Sequence, residues 1–209
     1  MLKTMDKLII TKEMSLHIKE NRPFRLAFPS DGEPSVGDVY RARVQRVNPA
    51  LKNAFLELGD GKRAYMNLGE GTLRPGQELT VMISQEGMKE KLPTAARELT
   101  FPGEWLVLTS DPGFLGFSRR ASFDGPAREE IHTALSPWFE TCGFILRTAS
   151  EQATLDQLTQ EAALLAEAFG NLLRRAEHSP APCCLLKGSP VYLEWLQGLD
   201  KRELQVITD

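Results

Sequence analysis

The sequence predicts an α+β protein in which a small β-barrel is followed by a mixed segment of strands and helices. Three observations predict it. Between residues 36 and 97, about five short β-branched or alternating runs recur, separated by Gly, Pro and Asn turns. After Arg97 the texture changes, and the longest run has apolar residues spaced three and four apart, the signature of an amphipathic helix. Near each end of the chain lies a β-branched run with no partner close in sequence; a single shared sheet would satisfy both.

The elements follow in order. Lys7–Thr11 and Arg25–Phe28 read as strands, and Pro29-Ser30-Asp31-Gly32-Glu33-Pro34-Ser35 is turn chemistry at a boundary. Val39–Val47 alternates with a period of two, placing Tyr40, Ala42 and Val44 on one face and Arg41, Arg43 and Gln45 on the other. Asn53–Leu58, Arg63–Met66 and Glu78–Ser84 are further strands, and Gln85–Lys91 is a polar loop. Beyond Arg97, Trp105–Thr109, Phe117–Arg120 and Gly143–Thr148 read as strands. Asp124-Gly125-Pro126 opens a helix that runs to about Leu135, with proline in the first turn, where it is tolerated. Thr154-Leu155-Asp156-Gln157 is a capping box, and it starts a helix that runs to about His178. Its stripe of Leu155, Leu158, Ala162, Leu165, Phe169 and Leu172 is a core-facing stripe. Ser179–Pro182 is a stiff linker; a short helix at Val191–Leu199 and a strand at Leu204–Thr208 follow.

Charge is uneven. The 209 residues carry 25 Lys+Arg and 28 Asp+Glu, a net −3. Residues 1–35 net +1, residues 36–97 net +3 and residues 98–209 net −7, so a polyanion would be drawn to the middle. No apolar run approaches the ~20 residues of a membrane helix. The N-terminus carries no long apolar run, so a secretory signal is not expected. Cys142, Cys183 and Cys184 form neither a disulfide framework nor a zinc spacing, which fits reduced cysteines and a cytoplasmic protein. No nucleophile elbow, Walker loop, dinucleotide glycine pattern or His-Glu-x-x-His motif is present, and the carboxylates are scattered.

Two groups of residues suit binding. Phe55 and Tyr65 lie near Lys52, Lys62 and Arg63, with Lys89 and Lys91 on the later loop. Small barrels stack single-stranded nucleic acid on aromatics over a basic groove, although the same two rings would also fit a core. Arg119, Arg120, Arg147 and Thr148 form the basic cluster of an acidic region. A guanidinium fork beside a hydroxyl suits a phosphate; ion pairs with local carboxylates and capping by Thr148 are the other fit.

Taken in order, the residues resemble a family. Gly37–Val47 and Ala54–Gly59, then Gly103–Leu108, Ser118-Arg119-Arg120, Gly143–Ala149, Pro180-Ala181-Pro182 and Glu203–Thr208, are similar to the RNase E/G endoribonucleases over essentially the whole chain. The resemblance implies an S1-like (OB-fold) barrel at 36–97 and an α/β sensor of the RNA 5′ end at 98–190. Both would be inserted in a partial RNase H-like subdomain made of 1–35 and 191–209. It implies that Phe55, Tyr65 and Lys91 contact single-stranded RNA, Tyr65 standing where the family more usually has Phe. It also implies that Arg147 and Thr148 grip a 5′-monophosphate, with Arg119, Gly103 and Val107 supporting the pocket. The family's DNase I-like domain, with its two Mg²⁺-binding aspartates, and its Cys-pair zinc link find no counterpart residues here. The resemblance therefore implies no catalytic residue, metal ligand or cofactor in this sequence. The expected partner is single-stranded RNA, with no membrane association, and the expected state is a monomer that binds RNA in RNA processing and decay without cleaving it alone. A short Mg²⁺-dependent nuclease and a protein-interaction module that has lost RNA binding stay open as alternatives.

Overall fold

A computed structural model of the chain describes residues 6–11, 14–27, 32–69, 71–188 and 204–208. In chain order the first strands are β1 (Asp6–Ile10), β2 (Ser15–Lys19) and β3 (Arg22–Ala27). β4 (Val39–Asn48), β5 (Asn53–Gly59), β6 (Lys62–Asn67), β7 (Glu78–Gln85) and β8 (Thr94–Ala96) follow. Next come β9 (Thr100–Pro102), β10 (Leu106–Thr109) and β11 (Leu115–Phe117), then helix α1 (Gly125–Leu135) and strand β12 (Gly143–Leu146). Helix α2 (Leu155–His178) and strands β13 (Cys183–Leu186) and β14 (Leu204–Thr208) complete the order.

Two compact units result, one holding β1–β3 with β14 and the other spanning Pro34–Lys187. In the first, the sheet order is β14-β1-β2-β3, with β14 parallel to β1 and the rest antiparallel. Strands from both ends of the sequence thus share one sheet. β2, absent from the sequence reading, is joined to β3 by Glu20-Asn21, both at positive φ as a two-residue hairpin with the sheet's twist requires. Phe28 and the expected helix at Val191–Leu199 lie outside the described residues.

In the second unit, β4-β5-β6-β8-β7 closes on itself through β7–β4 pairing, giving a closed five-stranded, OB-like barrel. The period of two in β4, β5 and β6 fills its interior with Ala42, Val44, Ala54, Leu56, Leu58, Ala64 and Met66, each at most 1% exposed. β8 lies just beyond the polar loop expected at Gln85–Lys91 and has no counterpart among the expected strands; three residues directly after Pro93 carry too little pattern to show one.

The four strands β11-β12-β10-β9 form a separate small sheet, against which α1 and α2 pack. Leu106, Leu108, Phe144 and Leu146 from the sheet meet Leu158, Ala162, Phe169 and Leu172 from α2. Each leucine and phenylalanine of this set contributes about 1.5–3 kcal/mol by leaving water. The Thr154 capping box is formed in both directions, and Asp124 caps α1. The strand expected at Phe117–Arg120 lies earlier, at Leu115–Phe117, because Ser118–Arg120 turns. The strand expected to reach Thr148 stops at Leu146, since Thr148–Gln152 winds into a 3₁₀ turn.

The barrel and this α/β layer are bound together. β13 leaves the linker and pairs with β4 as a sixth strand beside the barrel. Cys183 and Leu185 face the α/β core, whereas Cys184 faces the barrel core. Arg41 donates to the Ala176 carbonyl of α2, and Arg43 donates to Ala181 O at 2.5 Å. Both guanidinium groups also reach Glu78, at 3.1 and 3.2 Å. At the start of β4, buried Asp38 accepts from Ser35 N, Tyr40 Oη and Lys187 Nζ, and burial pushes the Tyr40 phenol up, with the Asp38 charge adding to it.

Hydrogen bonds from Arg43, then Arg41, hold the Glu78 carboxyl below its ordinary value. The folded state then takes up this proton less readily than the unfolded chain. The resulting stabilisation is present above the ordinary glutamate pKa and lost as pH falls through the folded value. Glu78→Gln should therefore be less stable than the parent at neutral pH, and the two should converge on acidification in thermal melts. A gap that is unchanged at low pH would contradict the assignment.

Candidate nucleic-acid interface

The outer face of the barrel is set by the same alternation that fills its interior. On β5, Ala54, Leu56 and Leu58 point inward, which turns Phe55 and Glu57 outward; on β6, Ala64 and Met66 turn Arg63, Tyr65 and Asn67 outward. Phe55 and Tyr65 are direct register partners, and their half-buried rings meet edge to face at 6.1 Å and 72°. They belong to the outer face and not to the barrel core. Tyr65 Oη donates to Asn67 Oδ1 at 2.7 Å, which fixes the ring.

A residue missed in the sequence joins them. Strict alternation would turn Arg46 inward, but a bulge between Val44 and Arg46 resets the strand and leaves both Gln45 and Arg46 exposed. Arg46 then pairs in register with Phe55, and Thr94 of β8 pairs with Tyr65. Across β4, β5, β6 and β8 the outer face thus reads Arg46, Phe55, Tyr65, Thr94. Lys91 is exposed on the β7–β8 loop, whose end is tied to β6 by Tyr65 N donating to Pro93 O at 2.9 Å. Among the described residues Arg46, Arg63, Lys89 and Lys91 meet no carboxylate, in contrast to Arg41 and Arg43. Aromatic faces flanked by uncompensated cations are what base stacking and phosphate contact require.

The second group gathers at one end of the α/β sheet. β11 and β12 run parallel, so the turns after them lie side by side, and the antiparallel β10 brings its N-terminal loop to the same end. Arg147 N donates to Trp105 O at 2.9 Å, and Arg147 Nη1 donates to Gly103 O at 2.5 Å. Thr148 Oγ1 and Ser118 Oγ lie 3.0 Å apart, joining the Arg147-Thr148 turn to the turn that carries Arg119. Thr148 does not cap the 3₁₀ turn, whose N-cap is Arg147. Arg119 and Arg120 are exposed, without ion pairs among the described residues. Val107 pairs with Ile145, on the sheet face opposite the helices. Gly103, Arg147, Thr148 and the Arg119 turn therefore come together, with Val107 one residue further along the strand. Glu161 of α2, read in sequence as part of a helix, accepts from the Glu104, Trp105 and Leu106 backbone N–H groups of the Gly103 loop.

Residues 100–209 match the Ribonuclease E/G family, more than half of the 209-residue chain. The chain belongs to the Ribonuclease E/G family. It is 26% identical over 168 residues to Ribonuclease G of Haemophilus influenzae, covering 69% of this chain and 34% of that protein. It is 25% identical over 163 residues to Ribonuclease G of Escherichia coli K12, covering 67% and 33%. A putative ribonuclease E of Buchnera aphidicola is 24% identical over 199 residues, covering 85% and 48%. The chain spans about a third of the length of the two ribonuclease G relatives.

Among the described residues no three His, Cys, Asp or Glu side chains come together, and the adjacent Cys183 and Cys184 face different cores. Burial raises the Cys142 and Cys184 thiols, which disfavours the thiolate a metal would need. No helix among the described residues is long and apolar enough to cross a membrane.

A Cβ at Gly103 would stand 2.5 Å from Glu161 Oε1, on a carboxylate already held by three N–H groups. Gly103→Ala should lower stability by about 1–3 kcal/mol in urea unfolding with an unchanged slope. An alanine variant as stable as the parent would mean that the carboxylate swings aside freely.

Proposed function

We propose that this chain binds single-stranded RNA and reads a 5′-monophosphate end. In this reading the barrel is S1-like and stacks bases on Phe55 and Tyr65, with Lys91 and Arg46 on the backbone phosphates. The α/β layer is the 5′ sensor: Arg147 and Thr148 hold the terminal phosphate, and Gly103, Val107 and Arg119 support them. The sheet of β14 and β1–β3 is the RNase H-like subdomain. No residue of this sequence is assigned to phosphodiester cleavage, which in this reading belongs to the family's metal-binding domain. The chain then serves RNA processing and decay in the cytoplasm.

The observation that carries the reading is the half-exposed Phe55–Tyr65 pair on a face whose cations meet no carboxylate among the described residues. Family membership supports RNA as the ligand, since the relatives are ribonucleases by name. The gathering of Arg147, Thr148 and Ser118 supports a terminal phosphate, because a guanidinium beside two hydroxyls offers several donors to one anion.

The test is fluorescence anisotropy with one short single-stranded RNA carrying a 5′-monophosphate or a 5′-hydroxyl, at fixed salt, because phosphate contacts weaken steeply with ionic strength. The monophosphate should bind more tightly. Phe55→Ala/Tyr65→Ala should weaken both RNAs, by roughly tenfold to a hundredfold for each lost stack. Arg147→Ala should remove the preference between ends and leave hydroxyl-RNA binding intact. Unchanged affinity in the double aromatic variant would favour the interaction-module alternative, and equal loss for both ends in Arg147→Ala would remove the sensor assignment.

A further inference from the structure

We infer that Glu161 is a positioning residue of the 5′-phosphate site, an inference that rests on the sensor reading of Arg147. The loop between β9 and β10 presents consecutive backbone N–H groups to one carboxylate. Glu104 N donates to Glu161 Oε1 at 2.5 Å, and Trp105 N and Leu106 N donate to Oε2 at 2.9 and 2.7 Å. Successive N–H groups of this kind make a concavity for an anion, and here the anion is internal.

The other side of the same peptide units faces Arg147. A trans peptide is planar, with its N–H and C=O pointing in opposite directions. The Gly103–Glu104 unit gives its N–H to Glu161 and its C=O to Arg147 Nη1. The Trp105–Leu106 unit gives its N–H to Glu161 and its C=O to both Arg147 N and Ser150 Oγ, the latter at 2.6 Å. The carboxylate therefore sets the direction of two carbonyls that hold Arg147, one on its side chain and one on its backbone. Charge-assisted bonds at one end of a peptide unit also strengthen the bond accepted at the other.

Glu161 can do this because its backbone is fixed. It lies on α2 between Leu158 and Ala162, both buried against the sheet, and one turn before the half-buried Leu165. Gly103 leaves the space that the carboxylate fills. Glu161 contacts no ligand in this account: it acts through two peptide planes on the residue that does.

The test compares the parent, Glu161→Gln, Glu161→Asp and Arg147→Ala for binding 5′-monophosphate and 5′-hydroxyl forms of the same RNA. A glutamine keeps the shape, but its amide N–H₂ opposes backbone donors that two carboxylate oxygens now accept. Glu161→Gln should lose most of the monophosphate preference, roughly tenfold for one lost charge-assisted contact, with hydroxyl-RNA affinity unchanged. Glu161→Asp, which keeps the charge, should retain part of the preference and stands in if the glutamine variant does not fold. Amide spectra without RNA supply a second readout: the Arg147 backbone and side-chain N–H resonances should shift in Glu161→Gln. If Arg147→Ala loses the preference while both Glu161 variants keep it in full, the inference fails and the sensor reading stands. If Arg147→Ala keeps the preference, the sensor reading itself fails, and this inference with it. A lowered melting temperature with an unchanged ratio of affinities would make Glu161 structural only and overturn the inference.

Discussion

Strand β4 forms backbone hydrogen bonds along both edges, with β7 on one and with β13 and then β5 along the other. Among the described residues no other strand of the barrel unit is asked to match three partners. Its first half closes the barrel on β7 and receives β13 from the α/β layer, and its second half bends through the bulge to follow β5. The bulge that permits this bend is also what turns Arg46 outward beside Phe55. Barrel closure, attachment of the α/β layer and the make-up of the aromatic face thus depend on one ten-residue strand.

The arginines of β4 show how position, not residue type, decides what a charge does. Arg41 and Arg43 lie where the strand faces the end of α2, and both are consumed by Glu78 and by main-chain carbonyls. Arg46, a few residues on, faces away from any carboxylate among the described residues. A net charge summed over residues 36–97 counts these groups alike, although only some are available to a polyanion.

Long, strongly patterned elements were legible in the sequence: the barrel strands by alternation, α2 by its stripe and capping box, and β14 by its β-branched run. Short ones were not. β8 is three residues of Thr and Ala, too short for a period to register, and β11 was displaced because Ser118–Arg120 resembles a polar strand but turns. Alternation placed Phe55 and Tyr65 on a common face once the strands were known, yet left open whether that face was inside or outside; only closure of the barrel decides it. Arg46 was hidden because a bulge breaks the rule used to read its neighbours. Glu161 was hidden for a different reason: on a helix with many exposed carboxylates, nothing local distinguishes one that meets three N–H groups from a distant loop.

β13 lies between two cores, sending Cys183 and Leu185 to one and Cys184 to the other. Adjacent side chains of a strand point to opposite faces, so a one-residue slip of β13 along β4 would exchange the two sets and place each against the wrong surface; the two cores together hold the strand to a single register.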